Sequence, residues 1–383
     1  MTRSRKDEIG QQEALSKKTG IMESISPTCL ELIIDWIDSQ DIGALWLSGC
    51  KRMEANLAQI VKKLDIEFRN WLTISFPTLV SSLPHLNSLR LAPSKSSYIQ
   101  DMTYGVTLPE LKKGFSWKVL PKNLVSFEIN ILLPSSEQGA LFEMDCDLPC
   151  LEALVMTSNR ESRQMAAKMP DYAKRMPNLK KLSWADLMVS QLDCDLLPSC
   201  LTELSALCNE IKTDNGKINW PPGLTSLSLE VPFKAEWFLA LPSSLTDLKL
   251  IHPIPSNPLD WSHLTRLQHL SIPEVDFFLP QLPRGLLSLG VLHALNASTV
   301  TSLPSNLTSL SYNFCMALDA KIAAALPRSL TRLLGGNCIE NLEELPLLLP
   351  PNLQYSAELQ NDTELPDTFK DHKGLTSLHL GAY

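Results

Sequence analysis

The sequence predicts an α/β solenoid: short parallel strands stacked side by side on the concave face of a curved sheet, preceded by a small all-helical module at the amino terminus. Three observations predict it. A leucine phrase returns at a nearly fixed step. Proline outnumbers glycine, 27 to 15, and much of it stands at one place in the phrase. Residues 21–68 lack the phrase and carry apolar residues at helical spacing instead.

Composition sets the outer bounds. At 44 % hydrophobic and 20 % charged, the 383-residue chain is too apolar to stay disordered. Its 34 basic and 42 acidic residues leave a net charge of −8. Phosphate affinity needs clustered Lys and Arg, so neither a general nucleic-acid binder nor an anionic-membrane binder is expected. A run of about 18 apolar residues, the minimum for a membrane-spanning helix, does not occur.

Residues 1–20 are polar with mixed charge and read as a flexible tail. They hold no apolar core of a secretory signal. Nine cysteines, an odd number, follow no metal-ligand spacing. Cys146 and Cys150 have no CxxC or His pair beside them. Reduced thiols in a cytoplasmic or nuclear chain are therefore expected, and the sequons at Asn296, Asn306 and Asn361 carry no weight.

The segment 21–68 reads as helices. Ser26-Pro27 is a helix start, since proline is tolerated in a first turn. Leu30, Ile33, Ile34 and Ile37 then recur at three and four, an amphipathic face. Residues 38–41, Asp-Ser-Gln-Asp, form a turn and cap. Ile42, Leu45, Trp46 and Cys50 continue the pattern, and a third stretch runs from Met53 to Leu64.

From residue 79 to 383 the phrase is Leu-Pro-x-x-Leu-Thr-x-Leu-x-Leu, in about 13 copies. Its first strand leucine falls at Leu86, Leu124, Leu151, Leu179, Leu201, Leu224, Leu245, Leu267, Leu286, Leu307, Leu330, Leu353 and Leu375. The first three steps are 38, 27 and 28 residues; the remaining nine lie between 19 and 23. The last two leucines of each phrase are two apart and share one face of a strand. One such strand cannot bury its face alone, but a stack of them encloses a continuous core. Proline just before the strand removes no ladder hydrogen bond. Between strands, extended or 3₁₀ segments are expected, with one longer helix over 160–176. An ordinary α/β domain with leucine-rich strands is the other reading, but it predicts no fixed step.

The open face is lined by the residues between the leucines. One column reads Ser88, Ser126, Ala153, Lys181, Glu203, Ser226, Asp247, His269, Ser288, Ser309, Arg332 and Ser377. The next runs from Arg90 and Glu128 through Lys249 and Gly290 to His379. Small hydroxyls dominate. Asp247, Lys249, His269 and Arg332 are the candidates for specific contact with a partner, against the plainer reading that each is a solvated strand residue. The threonine after many first leucines reads as β propensity.

The phrase resembles the leucine-rich repeat family, which implies a horseshoe with its parallel sheet on the concave side. The family continues to Asn or Cys three residues past the last strand leucine, matched here by Asn159, Asn209, Cys315, Cys338 and Asn361. In the family these side chains form a ladder along the solenoid. Other copies depart, with Pro232 and Pro253 at that place, so the resemblance implies a partial ladder.

The segment ISPTCLELIIDWIDSQDIGALWLSGCKRM resembles the F-box. Pro27, Leu30, Ile33, Ile37, Asp38, Asp41, Ile42, Leu45, Cys50, Lys51 and Arg52 match its phrase. The stretch between Pro27 and Leu30 is one residue short, and Gly49 replaces an apolar residue. An F-box followed by leucine-rich repeats is a plan of substrate receptors in SCF-type cullin-RING ubiquitin ligases. The resemblance implies that Pro27, Leu30, Ile33, Ile34, Ile37, Ile42 and Leu45 dock on the ligase adaptor, linking the chain to adaptor and cullin. The repeats would then hold an unknown protein substrate. A helical cap for the first repeat, in a plain interaction scaffold, is the alternative reading of the same segment.

Nothing points to catalysis. The histidines are spread over different repeats, no Cys-His-Asp order or GxSxG elbow occurs, and Gly335-Gly336 lacks a following Lys-Ser or Lys-Thr. A non-enzyme with no catalytic residues, no metal and no cofactor is expected.

Overall fold

The computed structural model describes residues 61–67, 83–92, 117–131, 144–158, 169–214, 217–232, 234–252, 261–273, 282–291, 297–312, 317–318, 320–334, 338–339, 348–358 and 377–381. The chain divides into an amino-terminal half, Met1–Leu187, and a carboxy-terminal half, Met188–Tyr383.

All thirteen leucine phrases produce a strand. In the amino-terminal half these are β2 (Ser88–Ala92), β3 (Ser126–Ile131), β4 (Ala153–Ser158) and the start of β5 (Lys181–Leu192). A further strand, β1 (Lys63–Glu67), precedes them, and β1 to β5 pair in sequence order, all parallel. In the carboxy-terminal half the order is β6 (Glu203–Ile211), β7 (Ser226–Glu230), β8 (Asp247–Leu250), β9 (His269–Ile272), β10 (Ser288–Val291), β11 (Ser309–Tyr312), β13 (Arg332–Leu334), β15 (Gln354–Glu358) and β16 (Ser377–Gly381). Strands β12 (Ala317–Leu318) and β14 (Cys338–Ile339) pair separately, parallel to each other.

Strand β1 corrects the sequence reading. Lys63–Glu67 falls in the segment expected to be helical, yet it pairs with β2 from Lys63↔Ser88 to Glu67↔Ala92. Val61 and Leu64 are buried, so V-x-x-L-x-I is a repeat whose first leucine is valine and whose proline is missing. The repeats therefore start before residue 79. The rest of the segment read as a helical module, residues 21–60, and the tail before it lie outside the described residues.

The leucines face the core, as alternation demands. Leu245, Leu248 and Leu250 are 0, 2 and 3 % exposed, while Lys249 between them is exposed. Each strand is aimed by a turn. The Leu245 N–H donates to the Pro242 carbonyl, and Leu124, Leu201, Leu224, Leu286, Leu307 and Leu330 do the same to their own prolines. The proline ring fixes φ at a turn position where no donor is lost. In the degenerate repeat at Leu353, Asn352 takes a φ of 68°, a left-handed conformation that asparagine tolerates.

Register is locked where each strand begins. The N–H groups of Thr246 and Asp247 both donate to the Thr225 carbonyl, at 2.8 and 3.0 Å. The same two-to-one pattern recurs from repeat to repeat in both halves. In the carboxy-terminal half a hydroxyl joins it. Thr225, Thr246, Thr308 and Thr331 donate from Oγ1 to the carbonyls of Thr202, Thr225, Leu287 and Thr308, at 3.0–3.1 Å. Just before the first leucine, Asn123, Asn178, Ser244 and Ser329 reach back to carbonyls of the preceding repeat. The threonine is thus a ladder residue as well as a β former. Asn209, at the ladder position implied by the family resemblance, is exposed near the end of β6. Asn159, Cys315 and Asn361 lie outside the described residues.

The connections hold 3₁₀ turns at Trp117–Val119 and Cys194–Leu196, as expected, but also single-turn α-helices. These are α1 (Tyr172–Arg175), α2 (Ala235–Phe238), α3 (Ala297–Thr301) and α4 (Ala320–Ala325). The longer helix expected over 160–176 is not formed where described: residues 169–171 are not helical, and α1 starts only at Tyr172 and ends at Arg175. Asp171 caps it by accepting from the Lys174 N–H. Residues 160–168 lie outside the described residues. Aromatic rings fill the space under the strands. Tyr172 stacks on Trp184 with centroids 5.9 Å apart, and burial holds its phenol well above the usual tyrosine range. In the carboxy-terminal half, Phe238 meets Trp261 edge-on at 4.5 Å. No helix among the described residues is long and apolar enough to cross a membrane.

The thiols yield a direct test. Cys146, Cys150, Cys194, Cys200 and Cys208 form no disulfide; Cys150 and Cys200 are exposed, Cys194 and Cys208 buried. Burial pushes the Cys208 thiol up to about 12, and raises that of Cys194 as well. The thiolate is the nucleophile, so both are protected twice. Titration of the native protein with a thiol reagent is expected to label Cys150 and Cys200 promptly, and Cys194 and Cys208 only after unfolding. Peptide mapping of the labelled sites checks this.

Candidate functional site

Strand alternation and parallel register build the open face. Residues between the leucines point away from the core, and in-register pairing aligns them across the strands. In the carboxy-terminal half the first column is Ser226↔Asp247↔His269↔Ser288↔Ser309↔Arg332↔Gln354. The second is Ser228↔Lys249↔Ser271↔Gly290↔Ser311↔Leu334. Both columns match the sequence reading, to which the structure adds Gln354.

The four candidates fall into two places. Asp247 and His269 are register partners on adjacent strands, and Lys249 lies two residues along from Asp247. These three form one patch. Arg332 stands three strands from His269, about 14 Å at a strand spacing of about 4.8 Å. Lys249, His269 and Arg332 are exposed, whereas Asp247 is half-buried. Asp247 Oδ2 lies 2.6 Å from Thr246 Oγ1. That hydroxyl has one proton, shared between the carboxylate and the Thr225 carbonyl 3.1 Å away. Between the two places the floor is low. A Cβ at Gly290 would come within 3.2 Å of Ser271 Oγ, so a larger residue there would need the Ser271 side chain to give way.

The amino-terminal half presents a different face. Arg90 and Glu128 are register partners, joined Nε to Oε1 at 2.9 Å with both side chains part-exposed. Lys180 and Glu152 pair at 2.9 Å at the strand starts, in the place threonine takes further along. Exposed pairs of this kind contribute about 0–1 kcal/mol and leave the charges largely satisfied. Alternation placed Arg90 and Glu128 in one column, but nothing in a single sequence says that two register neighbours will close an ion pair.

Strands β5 and β6, of 12 and 9 residues, outrun the others. Within the carboxy-terminal half their ends are tied by Gln191 to Glu210 at 2.6 Å and Lys212 to Asp193 at 2.7 Å. The Asp193 carboxylate raises the Lys212 ammonium above the usual lysine range. Among the described residues no group of three His, Cys, Asp or Glu side chains converges as a metal-ligand set. Pro27, Leu30, Ile33, Ile34, Ile37, Ile42 and Leu45 lie outside the described residues.

No protein-family model matches the sequence. No curated protein matches it either. Similar solved structures include CroV588, described as a novel circular LRR protein, at 15 % identity and a TM-score of 0.43, over 80 % of this chain and 51 % of that one. The chain thus spans about half the length of that structure. Another is an internalin, inlF, of Listeria monocytogenes, at 15 % identity and a TM-score of 0.36, over 90 % of this chain and 89 % of that one. A third is the plant peptide hormone receptor RGFR1 in complex with RGF2, at 15 % identity and a TM-score of 0.23, over 86 % of this chain and 80 % of that one.

Proposed function

We propose that the protein is a non-catalytic binding scaffold whose open sheet face holds a protein partner. One observation carries this reading: the side chains of that face stand in straight register columns on strands locked at their starts, so Asp247, Lys249, His269 and Arg332 are offered from a rigid frame. A backbone frame fixed in advance leaves only the side chains to be ordered when a partner arrives. A cytoplasmic or nuclear compartment fits the free, buried thiols of Cys194 and Cys208.

In its finer form the proposal makes the chain the substrate-recognition subunit of an SCF-type cullin-RING ubiquitin ligase. The F-box-like phrase from Pro27 to Arg52 supports it, as does the order of that phrase before the repeats. Adaptor and cullin would supply the ligase chemistry. The test is co-purification of the full chain with the small adaptor, alone and with Ile33→Asp plus Ile37→Asp. Binding that the double variant abolishes is expected; no binding, or binding the variant leaves intact, defeats the ligase reading. The alternative is a scaffold without a ligase link, whose segment 21–60 caps the first repeat. The start of the repeats at Val61, directly after that segment, favours it.

A further inference from the structure

We infer, on the reading that the open face binds a protein, that the carboxy-terminal half takes an extended acidic segment of its partner, with Lys249 and Arg332 each meeting a carboxylate. The argument is one of charge left over. Among the described residues, Arg90, Lys118, Lys180 and Lys212 each meet a carboxylate at 2.7–2.9 Å. Lys249 and Arg332 are exposed on the open face and meet none among those residues. The chain is acidic overall, at −8. Yet from β8 to β13 the two columns hold two fixed cations, one histidine and one carboxylate. That carboxylate, Asp247, is half-buried and held by the Thr246 hydroxyl.

Spacing then selects the form of the ligand. Lys249 and Arg332 are four strand steps and two residues apart, about 20 Å. An extended chain covers about 3.3 Å per residue, so carboxylates six residues apart reach both. A helix rises only about 1.5 Å per residue and would need twice as many. The low floor at Gly290 lets a backbone cross between them. Arg332 suits bidentate capture of one carboxylate, while Lys249 acts as a point charge.

The probe is a displayed library of random twelve-residue peptides selected on the full chain, with the recovered peptides synthesised and titrated. Selected peptides are expected to carry Asp or Glu pairs near a six-residue spacing. Lys249→Ala and Arg332→Ala are each expected to weaken them about tenfold, and Lys321→Ala in α4 to leave them unchanged. Recovery of basic or apolar peptides that Ser271→Trp on the same face displaces would overturn the acidic preference and leave the binding face standing. Peptides indifferent to Lys249→Ala, Arg332→Ala and Ser271→Trp, or no peptides at all, would overturn both. Circular dichroism of each variant separates lost contact from lost fold.

Discussion

Leu248→Asp is expected to abolish folding of the carboxy-terminal half, while Lys249→Asp, one residue away, leaves stability within about 0.5 kcal/mol. Leu248 is 2 % exposed in the centre of β8, with Leu227 and Leu270 as its register partners. Aspartate there removes a leucine from a stacked row and places an unpaired carboxylate in apolar surroundings. The first change alone costs about 2–5 kcal/mol. The second adds several more, or forces the group to stay protonated. Together they rival the whole stability of a typical domain, about 5–15 kcal/mol. In a solenoid each repeat leans only on its neighbours, so loss of β8 removes the support of β7 and β9 at once. Far-UV circular dichroism and limited proteolysis of the two variants decide the matter. Equal protection of both would mean that leucine and lysine do not occupy opposite faces.

The second large effect comes from the hydroxyl ladder. Converting Thr225, Thr246, Thr308 and Thr331 together to valine keeps shape and β propensity but removes four hydroxyls within reach of carbonyls of preceding repeats, the Thr246 proton being shared with Asp247. A net contribution of about 0.5–1.5 kcal/mol per bond predicts a loss of about 2–6 kcal/mol. The backbone N–H donors remain, so no carbonyl is orphaned, and the exposed Thr331 contributes at the low end. Thr225 and Thr246 are linked, as are Thr308 and Thr331, so the four losses are not independent. A urea titration reads the result as a lower midpoint. An unchanged midpoint would return threonine to the role of a simple β former.

The sequence made the strands legible wherever a leucine pair flagged them, because alternation within a strand leaves only one way to face the core. It hid β1, where Val61 stands for the first leucine and no proline precedes it. The hydroxyl ladder was hidden for a different reason. Thr225 looks the same in sequence whether its hydroxyl bonds a neighbour or water, and only the third dimension separates the two. The single-turn helices escaped because four to six residues are too few to display a helical period. The columns of the candidate site were readable, since period two fixes a residue's face. Which charges there remain unspent was not, because Arg90 with Glu128 and Lys249 with Asp247 are equally charged neighbours on paper, and only the first pair closes.

The lock at each strand start leaves the connections unusually free. Leu86 and Leu124 are 38 residues apart, Leu267 and Leu286 only 19, yet both pairs of strands align in the same register, Ser88↔Ser126 and His269↔Ser288. Doubling a loop costs only about 0.6 kcal/mol of closure entropy. A lineage carrying this phrase can therefore lengthen, trim or duplicate its linkers with little penalty, retailoring the rim of the molecule while the strands beneath stay put.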